Sequence, residues 1–261
     1  MAQEEVQDWL ELVGIMRELR GADGCPWDKE QTHESLKRYL LEESYEVLDA
    51  IDAADDAALC DELGDVLLQV VFHAQIAAEQ GRFTIDQVLR GINLKMRRRH
   101  PHVFGAGSAE NSAAVLSQWE AIKAAERTAQ GEKRRIMKLN ENLPALLLAQ
   151  KVQDKAARVG FDWPDISGPW QKIAEELAEL RRAQNREEQL DELGDSLFAL
   201  VNLARFMDLD AEDSLRHTVK KFISRFNFIE RRLAESGGDW REYSLAELDA
   251  LWDEAKKAEA R

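Results

Sequence analysis

The string Asp-Glu-Leu-Gly-Asp occurs twice in this 261-residue chain, at Asp61–Asp65 and at Asp191–Asp195. Each copy lies at the start of an apolar segment, Leu63–Ala78 in the first half and Ser196–Ala204 in the second. A helix that is apolar nearly all round is typical of a segment buried on most sides. A buried carboxylate is costly unless a cation or a metal compensates its charge. The two strings therefore predict helices that bury acidic groups against a positive partner.

A pair of glutamates precedes each string, and its members are three residues apart. Residues at this spacing share one face of a helix, and two like charges there are mildly destabilising. The resulting acidic sets are Glu43, Glu46, Glu62 and Asp65 in the first half, and Glu176, Glu179, Glu192 and Asp195 in the second. Four carboxylates with no nearby His or Cys form an all-oxygen site, which suits Mg²⁺ or Mn²⁺ and does not suit zinc.

The composition argues against several classes of protein. A formal net charge of −15 is unlike a surface that binds the phosphates of duplex DNA or RNA, although a small phosphorylated ligand remains compatible with it. Cys25 and Cys60 give neither a disulfide framework nor a metal-ligand spacing, which indicates a reducing compartment. The N-terminus lacks the apolar core of a signal peptide, and no run is long enough to span a membrane. We expect a cytoplasmic protein with no nucleic-acid or membrane partner.

Apolar periodicity predicts helices along the chain and no strand, so the predicted fold class is all-α. Val6–Leu19 is an amphipathic helix, and further helices are expected at about 34–53 and 57–80. Thr84 with Gln87 and Ser244 with Glu247 are capping-box signatures, each of which predicts the start of a helix. The segments 21–28, 101–114 and 160–169 are predicted to be loops.

Five landmarks recur in the same order in the two halves. They are a loop with Trp27 or Trp163, the glutamate pair, the acidic string, a basic pair (Lys95 and Arg99, or Lys221 and Arg225), and a helix with Trp119 or Trp252. The repetition predicts an internal duplication, with a period too long for a solenoid. We expect two tandem homologous helical domains, residues 1–127 and 145–261, joined by a polar linker at 128–144.

Carboxylates, a metal, basic side chains and an aromatic plane together indicate a nucleotide site. Lys221 and Arg225 are placed to meet phosphates, and Trp252 or Trp119 to offer a flat face to a base. The chemistry expected of such a site is metal-assisted hydrolysis. No Gly-rich P-loop motif is present in the sequence. Taken singly, the basic residues are also compatible with surface charges, and the tryptophans with core residues.

Several long strings resemble the MazG nucleoside triphosphate pyrophosphohydrolases. They are GCPWDKEQTH (24–33), LEESYEVLDAI (41–51), DELGDVLLQVVFHAQ (61–75), RRHPHVFG (98–105), KVQDKAARVGFDW (151–163) and DELGDSLFALVNLAR (191–205). The resemblance covers essentially the whole chain in the two-domain form of the family. It implies four-helix units that associate into homodimers. It also implies Mg²⁺-dependent cleavage of NTPs and dNTPs to NMP and pyrophosphate, with broad base specificity.

The resemblance also implies roles for individual residues of the second domain, which is the favoured catalytic domain. Its metal ligands are Glu176, Glu179, Glu192 and Asp195. The nucleotide-binding residues are Lys172, Glu176, Glu188, Gln189, Leu190, Asp191, Asp195, Lys221, Arg225 and Trp252, with Trp252 against the base. The first domain carries an equally complete metal set at Glu43, Glu46, Glu62 and Asp65.

One position separates the two halves: Lys172, four residues before Glu176, corresponds to Tyr39 in the first half. The sequence is compatible with a first domain that is active, regulatory or a dimerisation unit. Glu175 and Glu42 are candidates for the general base because each lies next to the acidic sets in sequence. Two alternatives also stay open. One is a catalytically silent helical scaffold or nucleotide sensor, and the other is a superfamily relative specialised for one nucleotide such as dUTP or phosphoribosyl-ATP.

Overall fold

The computed structural model describes residues 2–129, 136–137, 139–237 and 239–259. Within these ranges the secondary structure is helical and contains no strand, which confirms the all-α prediction. The chain forms two compact units, Met1–Glu132 (unit 1) and Lys133–Arg261 (unit 2). The predicted linker includes residues 130–135 and 138, which lie outside the described residues, so its ends stay a prediction.

Unit 1 is built around one long helix that contains the first acidic string. Its helices are α1 (Ala2–Leu19), α2 (Pro26–Glu30), α3 (Lys37–Ala53), α4 (Asp56–Glu79), α5 (Ile85–Arg99), α6 (Pro101–Phe104) and α7 (Ser112–Ala129). Helix α4 packs against α1, α3 and α5, while α7 packs against α5. The long helices α1, α3, α4 and α5 therefore form a four-helix body.

Unit 2 repeats this arrangement around the second acidic string. Its helices are α8 (Ala145–Ala157), α9 (Ser167–Leu180), α10 (Arg186–Phe206), α11 (Ala211–Ser236) and α12 (Leu245–Glu259), with a 3₁₀ turn at Trp240–Glu242. Helix α10 packs against α8, α9 and α11, and α12 packs against α11. The acidic string of each unit thus lies on the central helix of its four-helix body.

Side-chain caps fix the starts of the two central helices. The Asp55 carboxylate accepts hydrogen bonds from the backbone N–H groups of Ala57 and Ala58, each at 3.0 Å, at the start of α4. Asn185 Oδ1 accepts from the Glu188 N–H at 2.9 Å at the start of α10. These caps satisfy N–H groups that have no partner inside a helix. They place each acidic string in the second or third turn of its helix.

Three loop predictions need correction. Pro101–Phe104 is a short helix, and α7 begins at Ser112, so the predicted loop 101–114 is wrong at both ends. Pro26–Glu30 is likewise a short helix, which overlaps the end of the loop predicted at 21–28. Helix α9 begins at Ser167, inside the predicted loop 160–169. Proline is tolerated in the first helical turn because its missing N–H has no intrahelical acceptor there.

The expectation that the central helices are buried on most sides is wrong for their first halves. The core of unit 1 gathers around the second half of α4, where Val71, Phe72 and Ile76 are buried. In the first half Leu63 is 51% exposed and Leu67 is 40% exposed. The acids of the string therefore lie at the exposed end of the helix. None of the helices that the structure describes is long and apolar enough to cross a membrane.

Candidate functional site

The four predicted acids of unit 2 come together between helices α9 and α10. Carboxylate oxygens of Glu176, Glu192 and Asp195 lie within 4.8 Å of one another, and those of Glu175, Glu176 and Glu179 form a second such group. Glu176 belongs to both groups, and it is 2% exposed. The i,i+3 spacing on each helix and the packing of α9 against α10 are sufficient to produce this cluster.

Lys172 neutralises part of this charge from one turn upstream on α9. Its Nζ forms an ion pair with the Glu176 carboxylate and another, at 2.8 Å, with Glu175 Oε1. Hydrogen bonds from Lys172 to Glu175 and to Glu176 raise the pKa of the lysine. Lys172 pairs with two of the five carboxylates in these groups, so the cluster keeps an excess of negative charge that a cation would offset.

Burial and the excess of negative charge raise the pKa of one member of the cluster, Glu192. Burial, followed by the charges of Glu179, Glu176 and Asp195, raises the pKa of the Glu192 carboxyl. Its Oε2 is a buried atom that has no hydrogen-bond partner among the described residues. A carboxylate oxygen without a donor, inside a cluster of hard oxygen ligands, fits the requirements of Mg²⁺ or Mn²⁺.

Unit 1 assembles the matching acids between α3 and α4. Oxygens of Glu43, Glu62 and Asp65 lie within 4.8 Å of one another. Burial, then Asp65 and a hydrogen bond with Glu46, raises the pKa of Glu43, which places Glu46 at the same cluster. Burial, then the charge of Glu46, raises the pKa of Glu62. All four predicted acids of this half are therefore neighbours.

Unit 1 lacks a lysine at the position of Lys172. Tyr39 stands there, and its hydroxyl accepts a hydrogen bond from Arg38, which also lies 4.4 Å from the centre of the Tyr39 ring. The Tyr39 ring packs edge-on against Trp27 at 5.8 Å. The two units therefore share their acids and differ in the side chains beside them.

Lys221, Arg225 and Trp252 lie on α11 and α12 and not on the helices that carry the acids. Arg225 forms an ion pair with Glu259 at 2.8 Å, and its guanidinium lies 5.5 Å from the Trp252 ring centre. The Trp252 ring contacts Phe222 with the centroids 5.0 Å apart. Lys221 is half-buried. The structure brings Arg225 and Trp252 together, but pairs the arginine with a carboxylate of its own unit.

Glu259 is a residue that the sequence reasoning missed although a signal exists. In unit 1, Glu126 accepts from Arg99 at 2.7 Å and from Arg98 at 2.7 Å. Glu126 follows Trp119 by seven residues, and Glu259 follows Trp252 by the same interval. The repeated Trp-Glu spacing, set against the repeated basic pair, predicts an arginine-glutamate contact in each half.

The predicted segment Glu188–Asp191 runs from the first into the second turn of α10 and is exposed. Glu188 is engaged in the cap, because its carboxylate accepts from the Gln184 N–H and from Asn185 Nδ2, each at 2.7 Å. Gln189, Leu190 and Asp191 present their side chains to solvent, and Leu190 is 66% exposed. The segment leads directly into Glu192, so it lies beside the acidic cluster.

A cavity of about 610 Å³ opens next to the acids of unit 2. Lys172, Glu176 and Asp195 line it, together with residues of α8, of the loop 160–163 and of the second half of α10. Neither Arg225 nor Trp252 is among the residues that line this cavity. Its lining includes Gln153 and Trp163, for which the sequence analysis gave no role.

Comparison with known proteins places these features in context. The model of the MazG nucleotide pyrophosphohydrolase domain matches residues 31–104 and 170–228. A Thermotoga maritima protein named nucleoside triphosphate pyrophosphohydrolase/pyrophosphatase MazG is 49% identical over 248 residues, which cover 94% of either chain. An Escherichia coli K12 protein named nucleoside triphosphate pyrophosphohydrolase is 44% identical over 254 residues, 95% of this chain and 97% of that one. Bacillus subtilis YabN, named as uncharacterized, is 49% identical over 251 residues, which are 51% of its length.

Proposed function

Because the chain belongs to the MazG nucleotide pyrophosphohydrolase family and is an enzyme of that kind, we propose that it hydrolyses nucleoside and deoxynucleoside triphosphates at the α–β bond. Water adds across this phosphoanhydride, and the products are the NMP and pyrophosphate. The observation that carries the proposal is Glu176, a buried carboxylate shared by two groups of acids at the edge of a cavity. We also propose that the enzyme accepts nucleotides with different bases.

Mg²⁺ is the proposed cofactor, with Mn²⁺ as a substitute. Glu176, Glu179, Glu192 and Asp195 would hold it in unit 2, since they supply hard oxygen ligands and the buried Glu192 Oε2 has no donor in the described part of the unit. When bound, the metal would neutralise the phosphates and lower the pKa of a coordinated water. Glu43, Glu46, Glu62 and Asp65 would form the corresponding site of unit 1.

Lys172 is proposed to orient the phosphate chain. Its ammonium group lies beside the acids at the wall of the cavity, where it would donate to phosphate oxygens once a metal compensates Glu176. Glu175 is proposed as the general base, because it is exposed next to the acids and forms an ion pair with Lys172. Glu42, its counterpart in unit 1, is the corresponding proposal there.

The residues predicted on α11 and α12 stay part of the proposal as phosphate and base contacts. Arg225 binds a phosphate only after leaving Glu259, with which it forms an ion pair at 2.8 Å. Lys221, one turn earlier on the same helix, is proposed to act with it. Trp252 is proposed to lie against the nucleotide, and Glu188–Asp191 to contact the phosphates or the sugar.

A homodimer is proposed because the central helices leave apolar surface uncovered. On α10, Leu193 is 49% exposed, and Leu197 and Leu200 are each 47% exposed. Contiguous exposed apolar side chains mark interaction surfaces in soluble proteins.

A cytoplasmic location is proposed because both cysteines are free thiols, as is usual in a reducing compartment. Cys60 is exposed and Cys25 is half-buried. The net charge of −15 supports the absence of a nucleic-acid partner.

Product analysis tests the proposed reaction directly. The protein is incubated with ATP and Mg²⁺, and the products are separated by ion-exchange chromatography. AMP plus pyrophosphate is the expected result, whereas ADP plus phosphate contradicts the proposal. Nucleotide binding without any product supports the silent sensor instead. A comparison of all common NTPs and dNTPs separates a broad enzyme from one specialised for a single nucleotide.

A further inference from the structure

Two histidines of unit 1 that are far apart in sequence are in direct contact. His33 lies in the segment 31–36 between α2 and α3, and His73 lies in the second half of α4. Their Nδ1 atoms are 2.7 Å apart, which is a hydrogen-bond distance, and the two rings are nearly parallel with their centroids 5.0 Å apart. Both side chains are half-buried. The contact therefore ties the segment before α3 to the central helix of the unit.

Arg82, in the turn after α4, determines where the protons of this pair lie. A terminal nitrogen of its guanidinium contacts His33 Nε2. Arginine can only donate a hydrogen bond, so His33 Nε2 is the acceptor and carries no proton. A neutral imidazole has one donor, so the proton of His33 is on Nδ1, which donates to His73 Nδ1. His73 keeps its own proton on Nε2. The hydrogen-bond network thus assigns both tautomers, and both rings are neutral.

A proton added to either ring breaks one of these hydrogen bonds. On His33 the new proton would sit on Nε2, opposite the guanidinium of Arg82. On His73 it would sit on Nδ1, opposite the N–H of His33. In either case a donor would face a donor, close to the positive charge of the arginine. Burial, followed by the charge of His33, lowers the pKa of His73. The network is therefore stable while both rings are neutral, and acid opens it.

The carboxylates around the pair are engaged with other bases. Glu79 of α4 forms an ion pair with Arg20 at 2.8 Å, and Glu34 forms one with Lys37 at 2.7 Å. The charge that acts on the pKa of His73 among the described residues is that of His33, and no acid counters it. A positive imidazole here would therefore gain no ion pair. The charged side chains on the elements around the pair are Arg20 after α1, Glu34 and Lys37 at the start of α3, Glu79 of α4, Arg82, and the exposed Asp86 and Arg90 of α5.

We propose that His33 and His73 form a pH-sensitive latch, which holds the segment 31–36 on α4 while both rings are neutral and releases it when one ring takes up a proton. The latch needs neither a metal nor a nucleotide, so it is independent of the proposed reaction. A histidine whose protonation breaks a contact is the usual basis of such switches between about pH 5 and pH 8.

The position of the latch makes unit 1 its target. The segment 31–36 ends at Leu36, which is 1% exposed in the core of this unit. It leads directly into α3, the helix that carries Glu43 and Glu46. Release of the segment therefore loosens the helix that supplies half of the acids of unit 1. The sequence of unit 2 contains one histidine, His217, which is exposed, so unit 2 has no corresponding pair.

Nuclear magnetic resonance of the full chain with ¹⁵N-labelled histidine tests the tautomers directly. At about pH 7.5, above the ordinary histidine pKa of about 6.5, His33 is expected to carry its proton on Nδ1 and His73 on Nε2. Single substitutions of each histidine assign the signals. The opposite tautomer in either ring, or a charged ring at this pH, overturns the latch. This measurement uses the unaltered protein, so it stands even where a variant fails to fold.

Hydrogen exchange followed by mass spectrometry tests the release. Exchange of the segment 31–36 is measured from about pH 7.5 to about pH 5.5, with each rate corrected for the intrinsic effect of pH on amides. Uptake of one proton on opening raises the opening constant by up to tenfold for each pH unit below about 6.5. Glu43 and Glu62 act in the opposite sense, because their raised pKa values favour the folded state as the pH falls. Protection that is unchanged down to pH 5.5 overturns the latch.

A double variant and a matched control complete the test. His33→Gln with His73→Gln keeps an acceptor for Arg82 and a donor–acceptor pair between the two positions, but neither side chain can titrate. The acid-dependent exchange of the segment 31–36 should therefore be lost. His100→Gln with His102→Gln replaces the other two histidines of unit 1 and should leave it unchanged. Acid-dependent exchange that persists in the first variant, or that disappears in the second, contradicts the proposal.

Discussion

Replacing Glu176 and Glu192 together by glutamine removes two of the carboxylates at the centre of the acidic cluster. Glutamine keeps the length and shape of the side chain, so the packing of α9 against α10 should survive. The change removes negative charge where oxygens of Glu176, Glu192 and Asp195 lie within 4.8 Å of one another. Helix content, measured by circular dichroism, is therefore expected to stay unchanged while metal binding and turnover are lost.

The size of the loss follows from the burial of Glu176, which is 2% exposed. Two unit charges about 4 Å apart interact by about 4 kcal/mol at an effective dielectric constant of about 20. Mg²⁺ carries twice the unit charge, while desolvation and the ion pair of Glu176 with Lys172 offset part of the attraction, so about 4 kcal/mol is an order of magnitude for one lost carboxylate. At about 1.4 kcal/mol per tenfold change, it weakens ion binding by about 10³-fold for Glu176 alone. The double variant should therefore be inactive at ordinary Mg²⁺ concentrations.

The assay is the initial rate of pyrophosphate release from ATP, measured across a series of Mg²⁺ concentrations. The matched control is Glu43→Gln with Glu62→Gln, which makes the same change in unit 1 and is expected to keep most of the activity. If the unit 2 variant keeps full turnover and the unit 1 variant loses it, the reaction takes place in unit 1. Full turnover in both variants would refute the role assigned to the acids.

Three further predictions concern stability and substrate affinity. Burial and neighbouring acids raise the pKa of Glu192 above 4.5, so its stabilising contribution is present below that pH and is lost as the pH rises through the raised value. Thermal denaturation should consequently show a larger gain in Tm from Mg²⁺ at neutral pH than near pH 5, and a gain independent of pH contradicts this. Gly168→Ala forces a Cβ into the Trp163 ring and should cost about 1–3 kcal/mol, offset by about 0.5–1 kcal/mol of helix propensity, seen as a lower Tm. Glu259→Gln frees the Arg225 guanidinium and should lower KM for ATP several-fold in initial-rate measurements; an unchanged KM argues against a phosphate contact by that arginine.

Features set by neighbouring residues were predictable from the sequence. The capping box of Thr84 and Gln87 is present as predicted, with both side chains bonded to the backbone. Ser244 and Glu247 likewise exchange hydrogen bonds at the start of α12. The acidic sets were predictable for a related reason, because i,i+3 spacing fixes which face of its own helix each carboxylate shares.

Features that depend on tertiary packing were not predictable in this way. Gln153 lies on α8, and nothing in its local sequence shows that its Nε2 reaches a carbonyl oxygen of α10 at 2.8 Å. The wrong expectation of burial has the same origin. Leu63 and Leu67 have apolar neighbours in sequence, but their exposure depends on which helices, or which second chain, cover them. The periodicity of apolar residues shows which face of a helix is apolar, but it does not show which helix or chain covers that face.

The two units keep the same acids and differ in the side chains around them. Each unit brings three carboxylates within 4.8 Å of one another, a geometry that could hold a divalent cation in either unit. In unit 2, Lys172 occupies the position that corresponds to Tyr39 of unit 1. Asn202 likewise corresponds to Phe72. Phe72 is packed in the core of unit 1, whereas Asn202 lines the cavity of unit 2. We therefore expect both copies to bind a divalent cation, while the side chains that would contact a nucleotide differ between them.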